Sequence, residues 1–425
     1  MKNVLVFPCG SEIGLEVNRS LAGSLHFRLF GGSSVDDHGR YVYENYIGDL
    51  PFADDENFAE QINAVVSRYD IDLIVPVHDA VVLRLAELRP VIDAIVVTSP
   101  LETCRIARSK TLTYEALAGV VQTPKIYESG AIEKFPVFLK PDVGQGSKGA
   151  AVANTLQEVD LRVDRQAGLL VCENLPGPEY TVDCFTDRRG KLRFASGRER
   201  VRITNGISVA SREVDDVRFF ETAAAINRTL EFRGGWFFQL KKRRDDELVL
   251  LEIATRTAGT MALFRVDGVN FVQLSLFDAL GHDVEIIRNH LAVEIDRALF
   301  SRYKLNFDYS TLYVDFDDTL IVRSKVNSLL IALIYQVKSV AGKRVVLLTR
   351  HRKNVFETMD SYSISKDLFD TVVVLRDGER KSDHIKSVDS IFVDDSFAER
   401  LDVSKTVGIP VFSLDAVESL LTWHG

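Results

Sequence analysis

The chain has 425 residues, 46% of them hydrophobic, and a formal charge of −9 from 52 lysines and arginines against 61 aspartates and glutamates. That balance is globular, excludes a long disordered tail, and argues against a nucleic-acid surface as the main business, which would carry a basic excess. The length exceeds one ordinary core and predicts two or three domains.

The start, Met1-Lys2-Asn3-Val4-Leu5-Val6-Phe7, meets Pro8 and Gly10 too soon for a secretory leader and reads as a first strand. No stretch approaches the roughly eighteen apolar residues of a membrane span, so a cytoplasmic location without membrane contact is expected. The four cysteines, Cys9, Cys104, Cys172 and Cys184, lack metal-ligand spacing and read as reduced, packed thiols.

Residues 1–105 alternate strand and helix signals: a strand at Val4 to Phe7, a helix from Gly14, and strands near Leu73 to Val77 and Ala94 to Thr98. This predicts a small doubly wound α/β domain. The turn from Pro8 to Gly14 lacks the full dinucleotide fingerprint and reads as a tight strand-to-helix turn. His78-Asp79 follows a strand end, where open sheets place ligands; substrate contact and helix capping both remain open.

Residues 106–305 change to longer strands, hairpins and helices, an α+β pattern, in which the mixed-charge run Lys241 to Glu247 reads as a solvated hairpin tip. A third, α/β domain is expected at 306–425, after the polar segment Ser301 to Tyr309.

That last domain carries Leu312-Tyr313-Val314-Asp315-Phe316-Asp317-Asp318-Thr319, an apolar strand that delivers carboxylates at alternate positions. Phosphate-ester chemistry needs a carboxylate nucleophile, a carboxyl that protonates the leaving oxygen, and magnesium to relieve charge repulsion. The strand Arg344 to Leu348 ends on Thr349, whose hydroxyl can hold a phosphoryl oxygen. Lys381 precedes the strand Ile391 to Val393, which ends in Asp394-Asp395. A lysine offsets phosphate charge and an acidic pair binds magnesium.

In order and spacing these elements resemble the haloacid dehalogenase (HAD) superfamily of phosphohydrolases. The resemblance implies Asp315 as nucleophile, Asp317 as general acid and base, Thr349 and Lys381 as phosphate holders with Lys386 in reserve, and a magnesium site of Asp315, Asp317 and Asp394 with Asp395 beside it. The short gaps between motifs leave no room for a cap domain. Such a site is open to bulky substrates or is covered by other parts of the chain.

In the middle region, Phe135 to Pro141 is a strand carrying Lys140, followed by a flexible loop with Gly144, Gly146, Ser147 and Gly149 whose amides can cover phosphates. Leu169 to Asp183 adds a strand, the turn Glu173-Asn174-Leu175-Pro176-Gly177, and a second strand. Gln239 and Glu252 fall on adjacent strands of one hairpin.

This series resembles the ATP-grasp superfamily, in its carbamoyl-phosphate-synthase-like, carboxylate–amine ligase branch. The resemblance implies that Lys110, Lys140, Gly144, Gly146 and Ser147 hold ATP phosphates, that the backbone of Glu173 to Leu175 reads adenine, and that Glu179 accepts from the ribose. Gln239 and Glu252 would hold magnesium and Arg256 would steady phosphate or acyl phosphate, with Arg202 a second basic candidate. The asparagine usual two residues after the glutamate is replaced by Ala254. Magnesium needs about six oxygen ligands, most of which phosphate and water can supply.

The fold expected is therefore multidomain α/β and α+β: an N-terminal pre-ATP-grasp α/β domain, an ATP-grasp domain and a C-terminal HAD-like Rossmannoid domain. The expected function is a bifunctional enzyme using ATP and Mg2+, joining a small carboxylate to an amine or thiol and removing phosphate from a phosphorylated metabolite, with a homodimer possible. The alternative is a degenerate ATP-grasp domain that senses nucleotide and regulates a catalytic HAD phosphatase; a third reading makes the chain a structural partner of a separate biosynthetic enzyme.

Overall fold

A computed structural model describes residues 1–128, 131–144, 146, 148–303, 305 and 307–422. The chain forms two compact units, Met1–Phe300 and Ser301–His424. Among the described residues no helix is long and apolar enough to cross a membrane.

Among the described residues the first unit contains three sheets. Its first is parallel and five-stranded, in the order Asn45–Ile47, Phe27–Gly32, Lys2–Phe7, Leu73–Pro76, Ile95–Val96. Side chains along a strand alternate between faces, and the central strand shows the consequence. Leu5 and Phe7 enter one core with Phe58, Ile62 and Leu85. Val4 and Val6 enter another, together with Phe185, Phe194, Met261, Phe264 and Phe271 from far along the chain. The N-terminal α/β layer and the following region thus share a core, which is why they form one unit.

The helix expected from Gly14 spans Glu12–Leu21, and the Ser11 hydroxyl caps it by accepting from the Gly14 N–H at 3.1 Å. The second sheet is antiparallel and six-stranded, ordered Leu248–Ala254, Gly234–Lys242, Glu179–Thr186, Leu192–Thr204, Ile207–Val214, Glu294–Asp296. The hairpin of Leu192–Thr204 and Ile207–Val214 turns at Asn205-Gly206, with φ of 51° and 75°. Two successive positive φ values make the tight turn that matches strand twist, and Asn-Gly is the pair that tolerates them. The third sheet, ordered Ile126–Tyr127, Leu169–Glu173, Val137–Pro141, Ala151–Ala153, is also antiparallel.

The second unit is built on a parallel sheet ordered Thr371–Val374, Arg344–Thr349, Thr311–Val314, Ser390–Val393, Val411–Phe412. Alternation again splits the central strand: Leu312 and Val314 pack with Leu330, Ile334 and Val393, and Tyr313 packs with Leu348 and Phe392. Asp315, Thr349 and Asp394 lie at the carboxyl ends of its three central strands, and Lys381 opens the short helix Lys381–His384 that precedes Ser390–Val393. A small hairpin, Ile321–Val322 with Lys325–Val326, follows the first of these loops.

Candidate functional sites

The first unit holds a cleft of about 420 Å³ between the six-stranded sheet, the glycine loop and the amino ends of the helices Glu12–Leu21 and Asp79–Leu88. Its floor is one row of the sheet, in which Glu252 pairs with Gln239, Gln239 with Thr181, and Thr181 with Arg198. Cross-strand partners share a face, so sequence positions far apart present their polar ends together. Lys110, the first residue of its helix and capped by Ser109, lies with its Nζ 3.9 Å from the Glu252 carboxylate and donates to the Asp142 carbonyl at 3.2 Å. Ala254 lines the cleft two residues beyond Glu252 and offers no oxygen donor there.

Lys140 is buried beside this row. Its Nζ donates to the Tyr114 hydroxyl at 2.6 Å and to the Leu251 carbonyl at 3.3 Å, next to Glu252. Burial pulls its proton affinity below the ordinary lysine value.

Two arginines without a sequence signal of their own, Arg198 and Arg200, face the cleft. Arg198 is 1% exposed, and its Nε donates to Asp183 at 2.7 Å, so the guanidinium is neutralised from within the sheet. Arg200, two residues on and on the same face, pairs with Glu179 at 2.9 Å and donates to the Gly206 carbonyl at 2.7 Å. Arg202, the expected second cation, instead pairs with Asp296 at 2.6 Å on the exposed edge of the sheet. The cause is a register shift between Arg200 and Arg202 that breaks the alternation. Glu179, expected at the ribose, has both oxygens near cations, Arg200 and, at 3.6 Å, Lys241.

Arg256 lines the cleft, but Asp79 grips it at two points, 2.6 and 3.0 Å, and its third nitrogen donates to the Thr257 carbonyl at 3.2 Å. The His78 ring caps its helix by accepting from the Ala80 N–H at 3.3 Å and also lines the cleft, so capping and cleft position coincide. Burial lowers the His78 proton affinity.

Gly144 and Gly146 line the cleft, and Ser147 lies outside the described residues. Gly146 is touched by the tip of the long hairpin: a Cβ on Gly206 would sit 2.2 Å from the Gly146 carbonyl carbon. Glu173 and Leu175 are set apart from the cleft walls. The Glu173 N–H donates to the Lys125 carbonyl at 2.8 Å, and its carboxylate is held by Arg243 at 2.5 and 3.1 Å. The run Lys241 to Glu247 is therefore more than a solvated tip, because Arg243 ties it to the Glu173 turn.

In the second unit the Lys381 ammonium lies 2.6 Å from both Asp315 and Asp394, and all three are buried. Asp315, Asp394 and Asp395 have carboxylate oxygens within 4.8 Å of one another. Burial pushes Asp315 up to about 6, with Asp394 adding to the rise and Lys381 opposing it. The Lys381 proton is held more firmly than usual, since the two carboxylates outweigh its burial. Thr319 accepts from the Asp395 N–H at 3.0 Å, and Thr349, fully buried, accepts from the His351 N–H at 3.1 Å. Lys386 turns away to the Asp383 carbonyl.

Asp317 stands apart from this acidic cluster. Its carboxylate is half exposed and meets His351 Nδ1 at 2.9 and 3.0 Å. His351 carried no sequence signal beyond following Thr349 by two.

The first unit has the ATP-grasp fold. Residues 165–297 match the family model described as ATP-grasp in the biosynthetic pathway with Ter operon. The biotin carboxylase–β-γ-ATP complex from Campylobacter jejuni is similar at 13% identity and a TM-score of 0.57, covering 68% of this chain and 74% of that one. N5-carboxyaminoimidazole synthetase from Staphylococcus aureus complexed with ADP is similar at 15% identity and a TM-score of 0.56, covering 68% and 79%. L-amino acid ligase from Bacillus licheniformis is similar at 17% identity and a TM-score of 0.53, covering 68% and 75%. No curated protein matches the chain in sequence.

Proposed function

We propose that the first unit is an ATP-dependent ligase that activates a small carboxylate as an acyl phosphate and passes it to an amine or thiol. The observation that carries this reading is the row Glu252, Gln239, Thr181, Arg198 on one wall of the cleft, with Lys110 beside Glu252. Solved structures of similar fold include a carboxylase bound to an ATP analogue, a synthetase bound to ADP and an amino acid ligase. A carboxylate oxygen bonds to the terminal phosphorus of ATP and the bond to ADP breaks. The nucleophile then bonds to the acyl carbon, loses a proton, and phosphate leaves. Lys110 and Arg200 orient and neutralise the anions above the floor to which the Asp183-paired Arg198 belongs, and such positioning is most of what a protein contributes to these transfers. The oxygen donors of Glu252 and Gln239 suit magnesium, which when bound would screen the phosphates.

The second unit, on this reading, is a HAD-type phosphohydrolase acting on a phosphorylated substrate or product. An Asp315 oxygen bonds to phosphorus, the ester P–O bond breaks with its electrons on the leaving oxygen, and that oxygen takes a proton from Asp317. Water then bonds to phosphorus, returns a proton to Asp317, and the bond to Asp315 breaks. The all-oxygen cluster of Asp315, Asp394 and Asp395 fits magnesium, which when bound would offset phosphate charge.

Two observations favour a second reading, a nucleotide sensor regulating the phosphohydrolase: Ala254 supplies no metal ligand, and the Arg256 guanidinium is occupied by Asp79. Incubation with ATP and magnesium, with and without pooled small carboxylates and amines, separates the two. The ligase reading expects acid-stimulated ADP release that Glu252→Ala abolishes; nucleotide binding with flat ADP for every pool sinks it in favour of the sensor.

A further inference from the structure

Asp317 has the exposure of a surface side chain, 53%, yet the reaction proposed for the second unit requires it to deliver a proton along one direction. The structure holds it from one side. His351 Nδ1 lies at nearly equal distances, 2.9 and 3.0 Å, from both carboxylate oxygens. The ring that makes this contact is itself fixed. It is 11% exposed, it stands edge-on to the fully buried Phe316 at 5.2 Å and 74°, and its Nε2 lies 2.9 Å from the Thr358 hydroxyl.

The tautomer follows from the next partner. Thr358 Oγ1 lies 3.0 Å from the Asn354 carbonyl, which only accepts, so the single hydroxyl proton is spent there. The Thr358 oxygen is left to accept from Nε2–H, and Nδ1 is the nitrogen that shares a proton with Asp317. The backbone joins the same arrangement, because the His351 N–H donates to Thr349.

We propose that His351 is a positioning residue for Asp317: it fixes the carboxyl's rotamer so that the proton reaches the leaving oxygen as the ester bond breaks. The proposal rests on the phosphohydrolase reading of this unit. In the step concerned the Asp315–phosphorus bond forms, the ester P–O bond breaks, and the Asp317 proton ends on the leaving alcohol. Proton delivery matters most where the leaving group is a poor one. An alkyl phosphate therefore depends on His351, whereas a p-nitrophenyl ester, whose leaving oxygen is stable without a proton, does not.

The experiment measures kcat and KM of the full chain with magnesium on glycerol 2-phosphate and p-nitrophenyl phosphate. His351→Phe keeps the ring against Phe316 but loses both nitrogens; His351→Asn places an amide near Nδ1. The expected result is a loss of about tenfold or more in kcat on the alkyl ester for His351→Phe, a part of the roughly hundredfold or greater contribution of general acid–base catalysis. KM and the p-nitrophenyl rate should stay within about twofold, and His351→Asn should recover most of the loss. Thr358→Val, on the far side of the ring, should give a smaller loss with the same ester selectivity. Equal losses on both esters, or none on either, overturn the proposal. Wild-type hydrolysis that Asp315→Asn leaves intact, or no hydrolysis of either ester, overturns the phosphohydrolase reading and the proposal with it.

Discussion

Asp79 and Arg256, 177 positions apart, meet in a two-point ion pair with N–O distances of 2.6 and 3.0 Å. The pair joins the amino end of the helix Asp79–Leu88 to the segment that follows the strand Leu248–Ala254 of the six-stranded sheet. Burial alone would raise the Asp79 carboxyl, but the Arg256 charge outweighs it and holds the group below its ordinary value. A depressed carboxyl contributes stability that is present above the unfolded value, about 4, and is lost as pH falls through the folded one. Asp79→Asn should therefore cost about 3 kcal/mol near neutral pH, because it strands a part-buried guanidinium. The cost should shrink in acid below the carboxylate range. Urea unfolding of both proteins across pH checks this; a cost that does not change with pH would place the pair's value in packing.

Asp315→Asn should abolish ester hydrolysis while leaving nucleotide binding by the first unit unchanged, as read by calorimetry with ATP. Loss of ATP binding in that variant would mean that the two activities are not separable.

Gly206→Ala should weaken the grip on ATP without unfolding the chain. The residue has a φ of 75°, and an added Cβ would strike the Gly146 backbone. Gly190→Ala is the matched control, with a φ of 76° and open space around the new carbon. Both pay a backbone strain of about 1 kcal/mol. Only Gly206→Ala is expected to raise the KM for ATP, by about tenfold if displacing the glycine loop removes about 1.4 kcal/mol of binding.

Arg200→Gln and Arg202→Gln should separate widely. Arg202 and Asp296 form an exposed pair, 57% and 62% accessible, and such pairs contribute about 0–1 kcal/mol. Its loss should leave ADP release near wild type. Arg200→Gln removes a cation from the cleft, leaves Glu179 with Lys241 alone, and should reduce acid-dependent ADP release by about a hundredfold. Equal effects would mean that the register shift does not decide which arginine faces the substrate.

Much of this was legible in the sequence because it depends on local pattern. Apolar strands such as Thr311–Val314 and Arg344–Thr349 announce themselves, and the residues after them are delivered to one edge of a parallel sheet. Gln239 and Glu252 were readable as partners because one hairpin fixes their register. The misses share a different cause. Alternation along Leu192–Thr204 holds only as far as Arg200, and composition does not announce the shift that sends Arg202 to Asp296. The occupancy of Arg256 depends on Asp79, and the tie between Arg243 and Glu173 spans 70 positions, so neither is encoded within any window. His351 has no periodicity to betray it, since its role comes from Phe316 and Thr358 around the ring.

The shared core of the first unit also bears on how the chain is made. Val4 and Val6 are covered by Met261, Phe264 and Phe271, which leave the ribosome more than 250 residues later. Until they do, that face of the nascent parallel sheet is covered only in part, by Leu15, Val17 and Leu21 of the helix Glu12–Leu21. A product ending near residue 105 would keep that face only partly covered and should be captured by chaperones or precipitate, whereas one ending at Phe300 carries the rest of its cover.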